Sequence, residues 1–342
     1  MVNAEPGGRP SARWSAPYPE TVASTVVARF AVDYARRPGS QALARYEHAK
    51  AGAWNATTDL PWDTDVDQEA MARRDAAGRA GLATADLSGT PFERWSEREW
   101  LTLAIETQNW TLSQLLHGEH AGMLICGRLV QTVPDLEDKY LAAVQLSDET
   151  RHTEAFARYL TTKMSGCYPV NPQLDALLRD LLTDSRWDIS YLGMQVMVEG
   201  LALAVFAFLY QQVISEPLLA TMIRYVRADE ARHVSYGIAA LAEIYPQLTS
   251  AELAERQEFT LEAAVRLRER LLRQEVWDRL ELPVGQACAV LRRSPGQLAF
   301  ERTLFGKIFG NCDKIGLLDH RGGWLRSRLS ELGFWVAPSA AP

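Results

Sequence analysis

Two pentapeptides, Asp148-Glu149-Thr150-Arg151-His152 and Asp229-Glu230-Ala231-Arg232-His233, share the pattern Asp-Glu-x-Arg-His, and this repeat restricts what the chain can fold into more than any other feature. In each copy Glu and His stand three residues apart. On a helix they project from one face and offer a carboxylate oxygen and an imidazole nitrogen to a common point. One Glu-x-x-His arises easily by chance in a chain with six histidines, whereas two copies of the full pattern do not. Taken alone, either copy reads as a solvated helix face with salt bridges through Arg151 or Arg232.

A site built on two such helices needs two further carboxylates at the same depth on partner helices. Glu119 precedes Glu149 by 30 residues, and Glu199 precedes Glu230 by 31. If each pair sits on an antiparallel hairpin, the turns fall near residues 134 and 215. The chain has Val133-Pro134-Asp135 and Ser215-Glu216-Pro217 at those places, and helix-breaking residues had no need to appear there. At about 1.5 Å per residue, each donor lies roughly 20 Å from its turn. Glu106 is an alternative to Glu119, but it moves the hairpin midpoint into the apolar run Met123 to Val130. The expected metal-binding set is therefore Glu119, Glu149, His152, Glu199, Glu230 and His233. Asp148 and Asp229 are expected to accept hydrogen bonds from the ring of the histidine on the opposite hairpin, with Arg151 and Arg232 balancing their charge. His48, His117, His120 and His320 read as structural or exposed.

The rest of the chain reads as helix, with no alternating strand pattern and no Gly-rich strand-to-helix turn. The expected helices are Pro19 to Tyr34, Ser40 to Gly52, Ser96 to Val130, Leu136 to Met164, Pro172 to Asp184, Ile189 to Ser215, Pro217 to Ile244 and Ala251 to Trp277. Shorter ones are expected over Val284 to Arg292, Gly296 to Phe309 and Leu325 to Leu332. Ala53 to Arg94 is expected to be a loop-rich wrap around the bundle. Tyr191 to Ile214 has about the length and apolarity of a membrane span, but Glu199 sits at its centre. A helix buried on all sides, with its carboxylate on a metal, accounts for both features without a membrane.

At 342 residues and 47% hydrophobic, the chain can bury a large core. A net charge of -7, with both signs interspersed, offers no basic stripe for nucleic acid. Cys126, Cys167, Cys288 and Cys312 form no Cys-x-x-Cys pair, which argues against a disulfide framework or zinc ribbon and fits a reducing cytoplasm. Residues 1-18 are expected to be a disordered lead-in without a secretory signal, and 19-342 a single domain with its metal-binding core at about 96-245.

With its doubled Asp-Glu-x-Arg-His and two partner glutamates, the chain resembles the ferritin-like di-iron oxidases. These include the ribonucleotide reductase small subunit and the hydroxylase subunits of bacterial multicomponent monooxygenases, to which the motif is most similar. The resemblance covers roughly residues 50 to 245. It implies an all-α fold, a ferritin-like four-helix bundle core with additional N- and C-terminal helices, and two irons held by the six residues named above. Departures narrow the chemistry. Phe156 stands where most reductase small subunits carry their radical tyrosine, so a tyrosyl-radical generator is not expected. Leu203 replaces the threonine of the multicomponent monooxygenases, and Val226 replaces the third histidine of related arylamine N-oxygenases. Ala121 and Met194 replace a valine and tyrosine that crosslink in other relatives.

The resemblance implies an O2-dependent monooxygenase acting on a small organic molecule, with amine N-oxygenation as the alternative chemistry and iron handling as the alternative class. Iron is the expected metal, and nitrogen and oxygen donors accept a manganese–iron pair as well. The chain has no dinucleotide fingerprint or cysteine cluster, so a separate reductase or ferredoxin is implied as electron donor. A monomer or homodimer is expected rather than a storage cage. Leu115, Gly122, Gln195 and Leu203, one turn from the donors, and Phe156 are candidates to line a substrate pocket, packing being the ordinary role of each.

Overall fold

The computed structural model describes residues 21–29, 34, 39–76 and 81–334. The proposed lead-in at 1-18 and the ends of the chain from 335 lie outside them. Among the described residues there is no strand, and the chain runs through helices α1 (Gln41–Ala51), α2 (Gln68–Ala76), α3 (Glu97–Thr132), α4 (Leu136–Lys163), α5 (Pro172–Thr183) and α6 (Trp187–Tyr191). A π-helical stretch, Leu192–Val198, continues into α7 (Glu199–Val213), and α8 spans Pro217–Ile244. Then follow α9 (Ser250–Arg270), α10 (Gln274–Arg279), α11 (Val284–Arg293), α12 (Pro295–Lys314) and α13 (His320–Glu331).

Two hairpins, α3 with α4 and α7 with α8, form the four-helix core. Their turns are those expected from the donor spacing. Val133 caps the end of α3, with Asp135 before α4. In the second hairpin the Glu216 carboxylate accepts from the amides of Leu218 and Leu219, satisfying two of the free donors at the start of α8, with Pro217 in its first turn. The helix containing Glu199 is apolar enough to cross a membrane, with a mean hydropathy of 1.9, but 67% of that window is buried in the protein. Its apolarity is spent on the core, where α8, α9 and α12 cover it.

The π stretch was not expected. A widened turn leaves carbonyls without their usual partners, and the Gln195 amide, oriented with its nitrogen toward the carbonyls of Ser190 and Tyr191, lies 3.2 and 3.3 Å from them. It also requires space on α8: a Cβ on Gly237 would stand 2.6 Å from the Cβ of Gln195, so only glycine admits the bulge.

Three other expectations are corrected. Residues 21–29 form no helix, and the remainder of Pro19 to Tyr34 lies outside the described residues save Tyr34, also non-helical. Thr21, Val22, Thr25, Val26 and Val27 crowd this stretch with β-branched side chains, which disfavour helix. Its Arg29 amide instead donates to the Gln131 carbonyl at 2.7 Å, serving an acceptor left free at the end of α3. Within the Ala53 to Arg94 wrap, α2 forms and lies against α3. The helix expected over Ala251 to Trp277 breaks after Arg270: Leu271 and Leu272 turn inward to burial, and Arg273 adopts a left-handed conformation with φ 53°.

Candidate metal centre

Each proposed donor sits about halfway along its hairpin. Glu119 is thirteen residues before the end of α3, and Glu149 is thirteen after the start of α4. Glu199 opens α7 directly after the π stretch, and Glu230 is thirteen residues into α8. His152 and His233 follow their glutamates by one turn on the same helix faces. All six side chains are buried, none more than 5% exposed.

They converge into two overlapping groups, Glu119–Glu149–His152–Glu230 and Glu149–Glu199–Glu230–His233, with donor atoms within 4.8 Å of one another in each. Glu149 and Glu230 belong to both. The His152 Nδ1 is 3.1 Å from Glu119 Oε2 and 3.2 Å from Glu230 Oε1. The His233 Nδ1 is 3.1 Å from Glu149 Oε1 but without hydrogen-bond geometry. Buried Glu149 Oε2, Glu199 Oε2 and both oxygens of Glu230 have no hydrogen-bond partner. Buried oxygens of this kind are otherwise rare and costly, and these point at shared space between the hairpins. The donor set therefore fits two divalent cations, whose four positive charges would match the four glutamates.

The charge pattern agrees. Burial first, and then the neighbouring Glu230 carboxylate, push the Glu119 and Glu199 carboxyls well above the ordinary range. For Glu149 burial pushes the same way, but the His152 and His233 rings beside it outweigh this and hold the group down. Burial works against the charged form of both histidines, yet the carboxylates around them raise their affinity for a proton well above normal. Without cations, the site balances its charge with protons.

Behind the donors, the four Asp and Arg residues of the two motifs form a crossed pair. His152 Nε2 is 3.0 Å from Asp229 Oδ2, and His233 Nε2 is 3.0 Å from Asp148 Oδ2, so each ring is held by the aspartate of the other hairpin. An Nε2–H donated to a carboxylate turns Nδ1 toward the cluster, as the nitrogen that would give its lone pair to a bound cation. Arg151 pairs with Asp148 and Arg232 with Asp229, and Arg232 also reaches Asp148 at 3.4 Å. Two guanidinium groups thus balance two buried carboxylates.

Two participants were missed. Trp54 donates its indole N–H to Asp229 Oδ2 at 2.8 Å from 175 residues away, a contact that no local pattern announces. Gln145, one turn before Glu149, donates to Glu199 Oε1 at 2.9 Å and links the hairpins. A buried amide one turn from a donor, on the same face, was the available signal.

A cavity of about 580 Å³ opens from the glutamates between α3, α7 and α12. Leu115 lines it, with Glu119, Glu199 and Glu230 at its inner end. Gly122, Gln195, Leu203 and Phe156 do not. A Cβ on Gly122 would stand 3.1 Å from the Glu149 carboxylate and 3.0 Å from Met194 Cε, so its bare face seats the donor. Gln195 serves the π stretch, and Phe156 stacks on Phe206 in the core at 6.0 Å. Glu106 is spent on Tyr168 and Arg279, His117 faces the Tyr168 carbonyl, and His320 the Ser250 carbonyl. His48 and His120 are exposed. All four cysteines are unpaired and buried.

No family model matches this chain, and no curated protein matches it in sequence. Solved structures do. An R2-like ligand-binding oxidase with aerobically reconstituted Mn/Fe cofactor superposes with a TM-score of 0.52 at 17% identity, covering 82% of this chain and 94% of that one. A point variant of such an oxidase, also aerobically reconstituted with Mn/Fe, gives 0.51 at 17% identity over 82% and 95% of the two chains. A further variant, with anaerobically reconstituted Mn/Fe, gives 0.50 at 18% over 81% and 93%. The likeness at this identity is one of fold, and the chain is an all-α protein with the ferritin-like helical architecture of these oxidases.

Proposed function

We propose that this chain is a dimetal oxidoreductase that uses O2 to oxidise a small organic molecule, acting as a monooxygenase. The observation that carries the reading is the buried cluster of six donors, with carboxylate oxygens that have no protein partner, at the inner end of a largely apolar cavity. Glu119 and His152 would hold one ion, Glu199 and His233 the other, and Glu149 and Glu230 would serve both. Two irons, or the Mn/Fe pair carried by the R2-like ligand-binding oxidases, would supply the O2-binding positions and the redox electrons.

The chain's own contribution is positional. Asp229 and Asp148 fix the two imidazoles through Nε2, and the helices hold the carboxylates where they need no reorganisation. Leu115, Leu201, Val205 and Leu209 give the cavity walls that exclude water from the cluster face. Phe156 supplies no phenol at its buried position, which supports oxidation of a bound molecule over radical storage on the protein. An organic-sized apolar cavity likewise favours this reading over iron handling. A separate ferredoxin or reductase is the proposed electron donor, and the cytoplasm, where unpaired thiols persist, the proposed compartment.

The test is oxygen uptake by protein loaded anaerobically with Fe(II), followed with an oxygen electrode and visible absorption. The reading expects rapid uptake with a new absorption band, and neither in Glu149→Ala. Uptake no faster than that of free Fe(II), and unchanged by the substitution, would reject it.

A further inference from the structure

The motif residues of the two hairpins match one another, but the match fails at one buried position beside the donors. Glu149 corresponds to Glu230 and His152 to His233, yet four residues before each glutamate stand Gln145 in α4 and Val226 in α8. Gln145 is 1% exposed and Val226 0%. Only the first of these side chains can donate a hydrogen bond.

Gln145 uses that capacity on Glu199. Its Nε2 donates to Glu199 Oε1 at 2.9 Å, and a longer contact of the same nitrogen, 3.3 Å, is with Glu149 Oε1. With two carboxylates on this side, the nitrogen of the amide and not its oxygen must face them. Glu199 Oε2 is left buried without a partner. Val226 belongs instead to the apolar cluster of Leu115, Leu116 and Phe156. Among the described residues, the hydrogen-bond partner of the Glu119 carboxylate is His152 Nδ1, at 3.1 Å. That nitrogen is itself a metal donor, so binding an ion would release Glu119 with both oxygens free, whereas an amide N–H binds no cation and keeps its hold on Glu199.

We propose that Gln145 makes the two metal positions unequal: its amide holds Glu199 to donation through Oε2 alone, which leaves the ion at Glu199 and His233 with one carboxylate oxygen fewer than the ion at Glu119 and His152 and open to an exogenous ligand. A hydrogen bond to an ionised carboxylate is roughly twice as strong as a neutral one, which keeps Oε1 turned to the amide once cations have displaced the protons. Gln145 touches no ion itself. It is a positioning residue that acts through Glu199, and Glu199 lines the inner end of the cavity, so an incoming ligand has a route to the open position. The inequality rests on the dimetal reading of the cluster; the bond between Gln145 and Glu199 does not.

The experiment compares infrared difference spectra, loaded anaerobically with Fe(II) minus metal-free, of full-length wild type and of Gln145→Met, which keeps the length of the side chain but has no N–H. Gln145→Leu is the second donor-free variant. A carboxylate bound through one oxygen separates its antisymmetric and symmetric stretches more widely than one bound through two. Wild type is expected to show a widely split pair, and the variants to lose it. Azide, added as the exogenous ligand, is expected to bind the variants about tenfold or more weakly than wild type, because the second Glu199 oxygen takes its place. A widely split pair that is missing from wild type, or that persists in a variant retaining its iron, overturns the proposal. So does azide that binds variant and wild type alike, and a variant with a lower Tm but unchanged stretches and azide affinity would reduce Gln145 to packing. Iron content separates this inference from the reading beneath it. Wild type that holds about two irons per chain without these signatures rejects the role of Gln145 alone, and wild type that holds none rejects the dimetal reading and this inference with it.

Discussion

Replacing Asp229 by Asn should weaken one metal position and leave the other nearly intact. In the wild type, burial pushes the Asp229 carboxyl up, but the hydrogen bond from His152 outweighs it, with help from Arg232 and Trp54, and the group titrates at about 2. It is therefore an ionised acceptor for His152 Nε2–H at neutral pH. Asn keeps the shape and can still accept through its amide oxygen, but a charge-assisted bond becomes a neutral one of roughly half the strength, a loss of about 1–1.5 kcal/mol. That corresponds to about tenfold in affinity, at the lower end of the 10–100-fold typical of residues that orient metal ligands. The effect should fall on the group containing His152, because His233 is held by Asp148 and not by Asp229. Chelator-competition titration resolves the two steps: Asp229→Asn should displace one and Asp148→Asn the other. If each substitution weakened both steps equally, or neither, the crossed arrangement would not be what positions the two rings.

Other consequences are as specific. Gly122→Ala puts a Cβ about 3 Å from the Glu149 carboxylate and Met194 Cε, and should cost about 1–3 kcal/mol; thermal melting should show a lower Tm and metal analysis a lower occupancy. Metal loading should release protons, because Glu119 and Glu199, raised by burial, and His152 and His233, raised by the surrounding carboxylates, hold them in the metal-free protein. Affinity should accordingly fall as pH drops, and a dye indicator in weak buffer should report acidification on loading. Glu216→Ala removes the cap of α8 and the acceptor of the Tyr159 hydroxyl, and denaturant unfolding should record a loss of about 1–2 kcal/mol with metal stoichiometry unchanged.

The meeting of these six side chains was legible because helices make sequence spacing a spatial ruler. Glu119 and Glu149 had to be equidistant from a turn, and Pro134 marked that turn; Glu216 and Pro217 did the same for Glu199 and Glu230. The crossed Asp–His pairs were legible for the same reason, since each aspartate precedes its glutamate and faces the neighbouring hairpin. What depends on packing between distant segments was not legible. Trp54 reaches Asp229 only because the wrap after α1 returns to the bundle, and the Leu192–Val198 bulge depends on the bare surface of Gly237 on another helix. The cavity was sought one turn from the donors, where Gly122 and Leu203 lie. It opens instead toward α12 and the α9 break, so Arg270, Phe300 and Thr303, in a region whose sequence carried little motif content, contribute its walls.

The central claim is that the six residues hold two ions through shared glutamates, and metal stoichiometry tests it most directly. Full-length protein loaded anaerobically with excess Fe(II), desalted and analysed by plasma mass spectrometry should retain about two irons per chain. Glu119→Ala should retain about one, and Glu149→Ala, which removes a donor common to both groups, close to none. Wild-type protein that retains no iron, or a Glu149→Ala variant that retains as much as wild type, would contradict the account.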